Sequence, residues 1–337
     1  MSRALPRAPR SPRVLRTTGQ RGVPGPVGTP GGPGTTPRRG VAARTRAAWT
    51  ASAVAVGLVL AACGPGAEEA PTLEPTPEAT ISVTGTGGAV PELDFRVPLT
   101  LSAPQEQVVW EGTGEELVEG GPVLLRVYTE SGADGSVVRD DFASVPVAYL
   151  MDPEEIGSEL YSVLEGHAVG ARIMYAADTD GTPLVSTIDV LPTRATGDVR
   201  APEEGLPSVE HGEGGVPVVT IPEGVEPPAD PVVRQTIRGT GSQVADGQQV
   251  VLQLLAVRWS TGEVFDTTWG EGLRPLTVTL GADQLIEGFE EGLVDLPVGS
   301  EVMLVVPPGL GFGPSGNELA TETLVYVVDI LAVSPPA

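Results

Sequence analysis

The chain has 337 residues, which is enough for two domains of ordinary size. Its 20 basic and 44 acidic residues give a formal net charge of −24 at pH 7. A protein of this charge would repel a phosphate backbone, so the composition argues against nucleic acid as a partner. Solubility is the simplest role of the acidity.

The N-terminal part of the chain has the composition of an export signal. The basic residues up to Arg46 all precede the first acidic residue, Glu68, and residues 47–62 form an uncharged run. That run is shorter than the roughly 20 residues of a membrane-spanning helix. Cys63, the only cysteine, follows at once. The pattern predicts a signal peptide over residues 1–62.

Cys63 lies in the sequence L-A-A-C-G, which resembles the lipobox of bacterial lipoproteins. The resemblance implies that the thiol is lipidated, that Cys63 becomes the N-terminus, and that the protein is anchored at the extracytoplasmic face of the cell membrane. The mature chain would then hold half of the basic residues against all of the acidic ones. The alternative is a buried core cysteine. A single cysteine allows no disulfide within the chain.

Two stretches of low apolar content divide the rest of the chain. Residues 63–90 are rich in Glu, Pro, Thr and Gly, and residues 194–230 have a similar composition. Neither stretch has enough large apolar side chains to bury a core, so both are expected to be solvated, the first as a tether and the second as a linker. They predict domains at residues 91–193 and 231–337.

The two predicted domains repeat each other weakly. E-G-T-G at residues 111–114 matches R-G-T-G at residues 238–241, and a G-x-x-V pair follows in each at the same offset along the chain. Two later matches keep the same order: A-V-G-A-R-I-M at 168–174 with P-V-G-S-E-V-M at 297–303, and I-D-V-L at 188–191 with V-D-I-L at 328–331. Four matches in one order predict a duplicated fold.

The most informative stretch is residues 260–299. Residues 261–268 predict a turn that leads into a short strand, and residues 276–280 alternate apolar and polar side chains like a half-buried strand. From Asp283 the spacing becomes helical, with glutamates on one face. The opposite face of the predicted helix is apolar and consists of Leu285, Ile286, Phe289 and Leu293.

This stretch carries the order G-x-V-F-D-T-T, then L-G-x-x-x-x-I-x-G-F-E-E-G-L, then P-V-G-S-x-x-x-L-x-V-P-P. The order closely resembles the FKBP-type peptidyl-prolyl cis-trans isomerases, over residues 231–333. The resemblance implies an α+β fold class, with two FKBP-like domains that are each an antiparallel β-sheet wrapped around a short α-helix.

The resemblance also implies a proline pocket in the second copy, residues 231–333. Phe289 would be the floor under the proline ring, Asp266 would lie beside the twisted amide, and the backbone N–H of Ile286 would bond a ligand carbonyl. The catalytic residues implied are Asp266, Phe312 and Tyr326, and the substrate-binding residues implied are Leu255, Phe265, Leu285, Ile286 and Phe289. Leu255 and Phe312 stand where the family usually has Tyr. For each apolar residue alone, ordinary core packing is the alternative.

The first copy, residues 93–192, is expected to have lost this site. In the family, the connection between the last two strands covers the pocket. That connection is long in the second copy, at residues 307–323, and much shorter in the first, at residues 177–183. Leu160 aligns with Phe289. The first copy is therefore interpreted as a degenerate domain that acts as a spacer or contacts other proteins.

No cofactor and no metal are predicted. G-x-G-x-x-G at residues 311–316 is not followed by a helical pattern, and D-x-D-G at residues 178–181 has Pro183 where a calcium loop needs glycine. The two histidines, His167 and His211, lack the sequence neighbours of a catalytic triad or zinc site and are expected at the surface.

The leading hypothesis is a peptidyl-prolyl cis-trans isomerase that assists the folding of exported proteins at the outer face of the membrane. Its partners would be exported polypeptides with X-Pro bonds, and a macrolide of the FK506 kind is a further candidate ligand. Two alternatives remain: a non-catalytic FKBP-like module that binds Pro-containing segments of envelope proteins, and a purely structural envelope protein.

Overall fold

The structure is a computed structural model that describes residues 80–282 and 285–336. Its first part contains β1 (Ile81–Thr84), β2 (Glu92–Phe95), β3 (Gln105–Trp110), β4 (Pro122–Ser131), β5 (Val137–Asp140), β6 (Val147–Leu150), α1 (Pro153–Ile156), α2 (Ser158–Leu164), β7 (Arg172–Thr179) and β8 (Thr182–Leu191). Its second part contains β9 (Asp198–Val199), β10 (Ser208–His211), β11 (Pro217–Thr220), β12 (Val232–Arg238), β13 (Gln249–Arg258), β14 (Val264–Thr267), β15 (Leu276–Thr279), α3 (Glu287–Leu293), β16 (Glu301–Val306) and β17 (Leu324–Val333). Short 3₁₀ turns occur at Glu213–Gly215, Pro308–Leu310 and Gly313–Ser315.

The two large sheets have the same strand order, and the fold is α+β. The first sheet runs β5-β4-β8-β7-β3 with β6 also paired to β4. The second runs β14-β13-β17-β16-β12 with β15 also paired to β13, and β9 extends it beyond β12. All of these pairings are antiparallel. Strands β12, β13 and β14 follow β3, β4 and β5 at the same offset as the sequence matches. The described chain therefore contains the fold twice.

A β-hairpin covers one face of each sheet, which we call the back face; the front face carries the helix. The β1–β2 hairpin packs on the first sheet and the β10–β11 hairpin on the second. Strands β1 and β10 are separated by that same offset, and both hairpin connections contain G-x-G-G, at residues 85–88 and 212–215. The duplicated unit therefore includes the hairpin, which the sequence matches did not reveal.

This arrangement differs from the expectation of a solvated linker over residues 194–230 and a solvated tether up to residue 90. Val209 and Val219 are opposite each other in the β10–β11 hairpin and pack on the back face of the second sheet. Two short strands that each have one apolar face need few large side chains to be held in place. The low apolar content of these stretches therefore did not indicate that they are ordered. Residues 1–79, including the predicted signal peptide and Cys63, lie outside the described residues.

The central strands β13 and β17 are buried on both faces. Every residue of β13 between its two ends is buried, and so is every residue of β17 before the last. Alternate residues point to opposite faces, so Leu254 and Ala256 belong to the front core under α3, whereas Leu255 and Val257 belong to the back core under the hairpin. Burial on both faces explains why these strands are nearly continuous apolar runs.

The repeated G-T-G motif has the same physical cause in both copies. A Cβ atom on Gly112 would lie 2.2 Å from the carbonyl oxygen of Ala168, and one on Gly239 would lie 2.2 Å from that of Val298. Backbone approaches this close leave room only for hydrogen atoms. In each copy the motif therefore marks a crossing point. The segment that follows β3 crosses the turn before β7, and the segment that follows β12 crosses the turn before β16.

Helix α3 lies close to the front face through two glycines one turn apart. A Cβ atom on Gly288 would lie 2.6 Å from Val306 Cγ1, and one on Gly292 would lie 2.8 Å from Leu304 Cδ2. Residues three or four apart share one face of a helix, so both glycines face β16. Phe289 and Leu293 are buried beside them in the front core.

The two copies differ most in the connection between their last two strands. In the second copy it spans residues 307–323, as predicted. In the first copy β7 and β8 are joined by Asp180 and Gly181 alone, a tighter connection than the expected residues 177–183. Both residues have positive φ, and Gly181 donates its N–H to the Asp178 carboxylate, as in a two-residue hairpin turn.

The two sheets contact each other through a small apolar cluster that includes Leu124 and Leu191 of the first and Val251 and Leu331 of the second. Among residues 80–282 and 285–336, none of the helices has the length and apolar composition that crossing a bilayer requires.

Gly288→Ala should destabilise the second sheet. The added methyl group meets Val306, which is buried and β-branched and therefore has little freedom to move. Overpacking costs about 1–3 kcal/mol, whereas alanine gains roughly 1 kcal/mol over glycine in a helix, so we expect a net loss. Urea unfolding followed by circular dichroism measures it. Gly309→Ala is the matched control, because nothing lies within 4 Å of a Cβ atom there. Equal losses in both variants would contradict the close-approach explanation.

Candidate active site

Three side chains lie in one row across the front face of the second sheet. Ala256 on β13 is directly opposite Asp266 on β14 and Tyr326 on β17. Directly opposed residues project from the same face of a sheet. Ala256, between them, has only a methyl group and is fully buried. This row forms the sheet side of a pocket.

Tyr326 is the centre of an aromatic group in this pocket. Its ring meets Phe289 with centroids 5.2 Å apart and Phe265 with centroids 6.0 Å apart, both edge to face. Such contacts favour one relative orientation of the rings. Phe289 is 2% exposed and lies in the front core, because helix α3 lies on the sheet through its glycines.

Glu290 holds the segment that enters helix α3. Its carboxylate accepts the backbone N–H groups of Gly281, at 3.2 Å, and Leu285, at 3.3 Å. Ile286 has an extended backbone at the start of the helix, and its side chain is buried in the front core. The predicted helix from Asp283 therefore begins later, at Glu287. The sequence pattern assigns Glu290 only to the solvent face and does not predict its two bonds to this segment.

The connection over residues 307–323 covers the pocket and brings Phe312 into the front core. It is tied to the end of β13 and the turn that follows by several hydrogen bonds. Arg258 donates to Glu318 at 3.0 Å, and the Ser260 hydroxyl donates to Glu322 at 2.8 Å. These bonds fix the cover at the end away from Phe312.

Asp266 is the ionisable group of the pocket. It is half-buried, and burial raises the pKa of its carboxyl group to about 6, with partial compensation from the backbone N–H of Thr267. Burial also raises the pKa of Tyr326, and the nearby Asp266 charge adds to that effect. In the described part of the chain, no arginine or histidine forms an ion pair with Asp266.

The assignment of Leu255 to the pocket is wrong. Leu255 faces the back of the sheet with Val257 and Trp259, whereas Leu254 is fully buried in the front core. The pairing of β13 with β14 shifts register by one residue after Ala256. Counting back from Asp266 along the sequence crosses that irregularity and selects the neighbour on the wrong face. The position with a pocket side chain is Leu254.

The other predicted pocket residues come together. Six belong to the front core or pack on it: Phe265, Leu285, Ile286, Phe289, Phe312 and Tyr326. Asp266 adjoins them through Ala256. Sequence reasoning missed Leu254 and Ala256, although strict alternation along β13 from Leu252 would have indicated both. Within the described residues, no group of three His, Cys, Asp or Glu side chains could hold a metal ion.

The equivalent row in the first sheet is polar. Thr129 on β4 is opposite Arg139 on β5 and Ser186 on β8, and the two hydroxyl groups are 2.9 Å apart. Arg139 is paired with Asp141 at 2.8 Å. Leu160 is the third residue of α2, as Phe289 is the third residue of α3.

Comparison with known proteins finds relatives of the second repeat. The family described as FKBP-type peptidyl-prolyl cis-trans isomerase matches residues 241–331. An FK506-binding protein of Streptomyces anulatus is 39% identical over 121 residues, 35% of this chain and 96% of that protein. A probable FK506-binding protein of Corynebacterium glutamicum is 33% identical over 118 residues, 34% of this chain and 97% of that protein. The crystal structure of FkpA from Escherichia coli shares 27% identity, covering 40% of this chain and 53% of that one, with a TM-score of 0.29.

The second repeat is thus of the class of peptidyl-prolyl isomerases. The chain belongs to the FKBP-type peptidyl-prolyl cis-trans isomerases.

Asp266→Asn should stabilise the protein above neutral pH. The pKa of Asp266 in the folded protein is about 6, above the ordinary value of 3.8, so the folded state binds the proton more tightly. Its contribution to stability is complete below about pH 4 and is lost as pH rises through about 6. Asparagine mimics the protonated form. We expect a gain of about 1 kcal/mol at about pH 8, reduced by solvent screening, and almost none at about pH 4.

Urea unfolding at the two pH values measures this gain. Glu263→Gln is the matched control, because Glu263 is exposed in the turn before β14. A gain for Asp266→Asn that does not depend on pH, or an equal gain for Glu263→Gln, would show that burial of Asp266 is not the cause.

Proposed function

We propose that the second repeat isomerises X-Pro bonds of exported polypeptides and so assists their folding at the outer face of the membrane. The observation that carries this proposal is the row of Asp266, Ala256 and Tyr326 above the buried ring of Phe289. It combines one carboxyl group with apolar and aromatic side chains.

Such a pocket has the properties that this reaction needs. Rotation about an X-Pro bond is opposed by a barrier of roughly 20 kcal/mol that amide resonance creates. The resonance form with separated charges depends on water, so transfer of the imide into the apolar pocket lowers the barrier. No nucleophile is required. Asp266 lies where the twisted amide would be, and Phe289, Phe265 and Tyr326 would exclude water from the proline ring.

The first repeat is proposed to have no isomerase activity. Its two-residue connection between β7 and β8 leaves no cover, and its equivalent of the pocket row is Arg139, Thr129 and Ser186. A polar row would keep the imide hydrated. We assign this repeat the role of a spacer or a protein-contact domain.

Export and anchoring complete the proposal. The L-A-A-C-G sequence supports lipid attachment at Cys63, and residues 64–79 would separate the lipid from the first repeat. The matched relatives are named for binding FK506, which supports a macrolide of that kind as a ligand of the same pocket.

A second candidate function is a non-catalytic module that binds Pro-containing segments. The observation in its favour is that Leu254 and Phe312 have no hydroxyl group to donate to a substrate. Each missing hydrogen bond is worth about 0.5–1.5 kcal/mol, at most about tenfold in rate. That loss is expected to slow the enzyme without abolishing its activity.

Phe312→Tyr should raise kcat/KM in a protease-free isomerisation assay of the full-length protein. The change adds a hydroxyl donor to a ring that already belongs to the pocket, and the expected gain is up to about tenfold. Phe95→Tyr is the control, because Phe95 packs in the β1–β2 hairpin on the first sheet. Wild-type protein that binds proline peptides but is indistinguishable from buffer would support the binding module.

Cys63→Ser should abolish incorporation of labelled fatty acid and leave either an uncleaved precursor or released protein. The side chain of serine has no thiol to carry the lipid. Metabolic labelling followed by membrane fractionation measures both effects. Wild-type protein that incorporates no label would overturn the lipoprotein proposal.

A further inference from the structure

Equivalent positions in the two repeats carry different buried charged groups on the back face. Arg172 is the first residue of β7, and Glu301 is the first residue of β16. Each is directly opposite an aspartate on the next strand, Asp189 or Asp329. The first sheet therefore buries an ion pair where the second buries two carboxyl groups.

The ion pair of the first sheet also holds its hairpin. The Arg172 guanidinium donates to both carboxylate oxygens of Asp189, at 2.5 and 2.6 Å. The same guanidinium donates to the carbonyl oxygen of Ala89, which lies in the connection between β1 and β2, at 3.1 Å. Arginine stays charged at all accessible pH values, so this attachment does not depend on pH.

The carboxyl pair of the second sheet contacts its hairpin through a histidine. Glu301 is 0% exposed and Asp329 is 4% exposed. Glu301 accepts the Thr236 hydroxyl at 2.5 Å, and its other oxygen is 2.6 Å from Nε2 of His211, the last residue of β10. Asp329 accepts the backbone N–H of Ala195 at 2.8 Å, and its second oxygen has no partner among the described residues. His211 is exposed, as expected, with 40% of its side chain accessible.

The groups around this pair supply little positive charge. Gln253 on β13 is directly opposite Asp329 and is neutral, and Thr236 on β12 is neutral as well. Arg194 lies near but is paired with Glu115 of the first repeat. Among the described residues, His211 is the only side chain in contact with either carboxyl group that can carry positive charge.

Protons therefore decide the charge of this cluster. Burial, and next the Glu301 charge, raise the pKa of Asp329 to about 7, partly offset by the Ala195 N–H, His211 and Arg194. Since the folded pKa lies above the ordinary value of 3.8, the folded state binds this proton more tightly. The contribution to stability is complete below about pH 4 and is lost as pH rises to about 7.

We propose that Glu301, Asp329 and His211 form a proton-controlled latch that holds the β10–β11 hairpin on the back of the second sheet when protonated and releases it when deprotonated. In the protonated latch, neutral Asp329 lies opposite Glu301, and Glu301 contacts His211 of the hairpin. In the deprotonated latch, the charge of Asp329 would be buried directly beside Glu301. Movement of the hairpin lets water reach them, which relieves that cost.

Hydrogen–deuterium exchange of the full-length protein tests the latch. After correction for intrinsic exchange rates, protection of residues 208–220 should fall by about tenfold or more between about pH 5 and about pH 8. Residues 81–95, in the hairpin held by Arg172, are the internal control and should keep their protection. Equal pH dependence in both hairpins, or none in residues 208–220, would overturn the proposal.

Asp329→Asn should make protection of residues 208–220 independent of pH, because the amide mimics the protonated carboxyl group and can donate to Glu301. Glu210→Gln is the matched control, since Glu210 precedes His211 and is exposed; it should keep the wild-type pH dependence. Asp329→Asn protein that folds and keeps the wild-type dependence would contradict the latch.

His211→Asn provides a test if Asp329→Asn fails to fold. The His211 side chain is 40% exposed, so its replacement leaves no large cavity. Protection of residues 208–220 at about pH 5 should then fall toward the wild-type value at about pH 8. Unchanged protection at the lower pH would also overturn the proposal.

Discussion

The structure depends on the burial of β13 and β17 on both faces. A strand pair that is apolar on both sides must be covered twice, and in each repeat a helix covers the front while a hairpin covers the back. The front cover needs close approach, which Gly288 and Gly292 provide by bringing α3 near to β16. Close approach in turn places Phe289 beside Tyr326, so the pocket follows from how the sheet is covered.

Duplication gives this chain two copies of one fold whose pocket positions differ. Both repeats keep the strand order, the crossing glycines and the hairpin, because each of these is needed to bury the sheet. They differ at positions that are not needed to bury the sheet. The pocket row is apolar and acidic in the second repeat but polar in the first, and the long cover is replaced by a two-residue turn.

The parts of the structure that follow from ordered motifs could be predicted from the sequence, whereas parts that depend on register or on distant partners could not. The second repeat, the helix with Phe289, the long cover and the duplication all follow from motif order and spacing. The pocket side of β13 did not, because the register shift after Ala256 reverses which face a counted residue occupies. An error of one position along a strand moves a side chain to the opposite face of the sheet.

The hairpins could not be predicted from local sequence. Their short strands are stable only against an apolar back face, and that face is assembled from distant residues such as Trp259 and Met303.

Strand β17 connects the two chemical features of the second repeat. Tyr326 projects to the front, into the pocket, and Asp329, three positions later, projects to the back, under the hairpin. Both side chains are buried, and burial in the sheet makes a negative charge costly on either face. On the front face that cost falls on Asp266, and on the back face it falls on Asp329, because burial raises the pKa of both carboxyl groups. The same low-dielectric sheet therefore disfavours a charged carboxylate on either face.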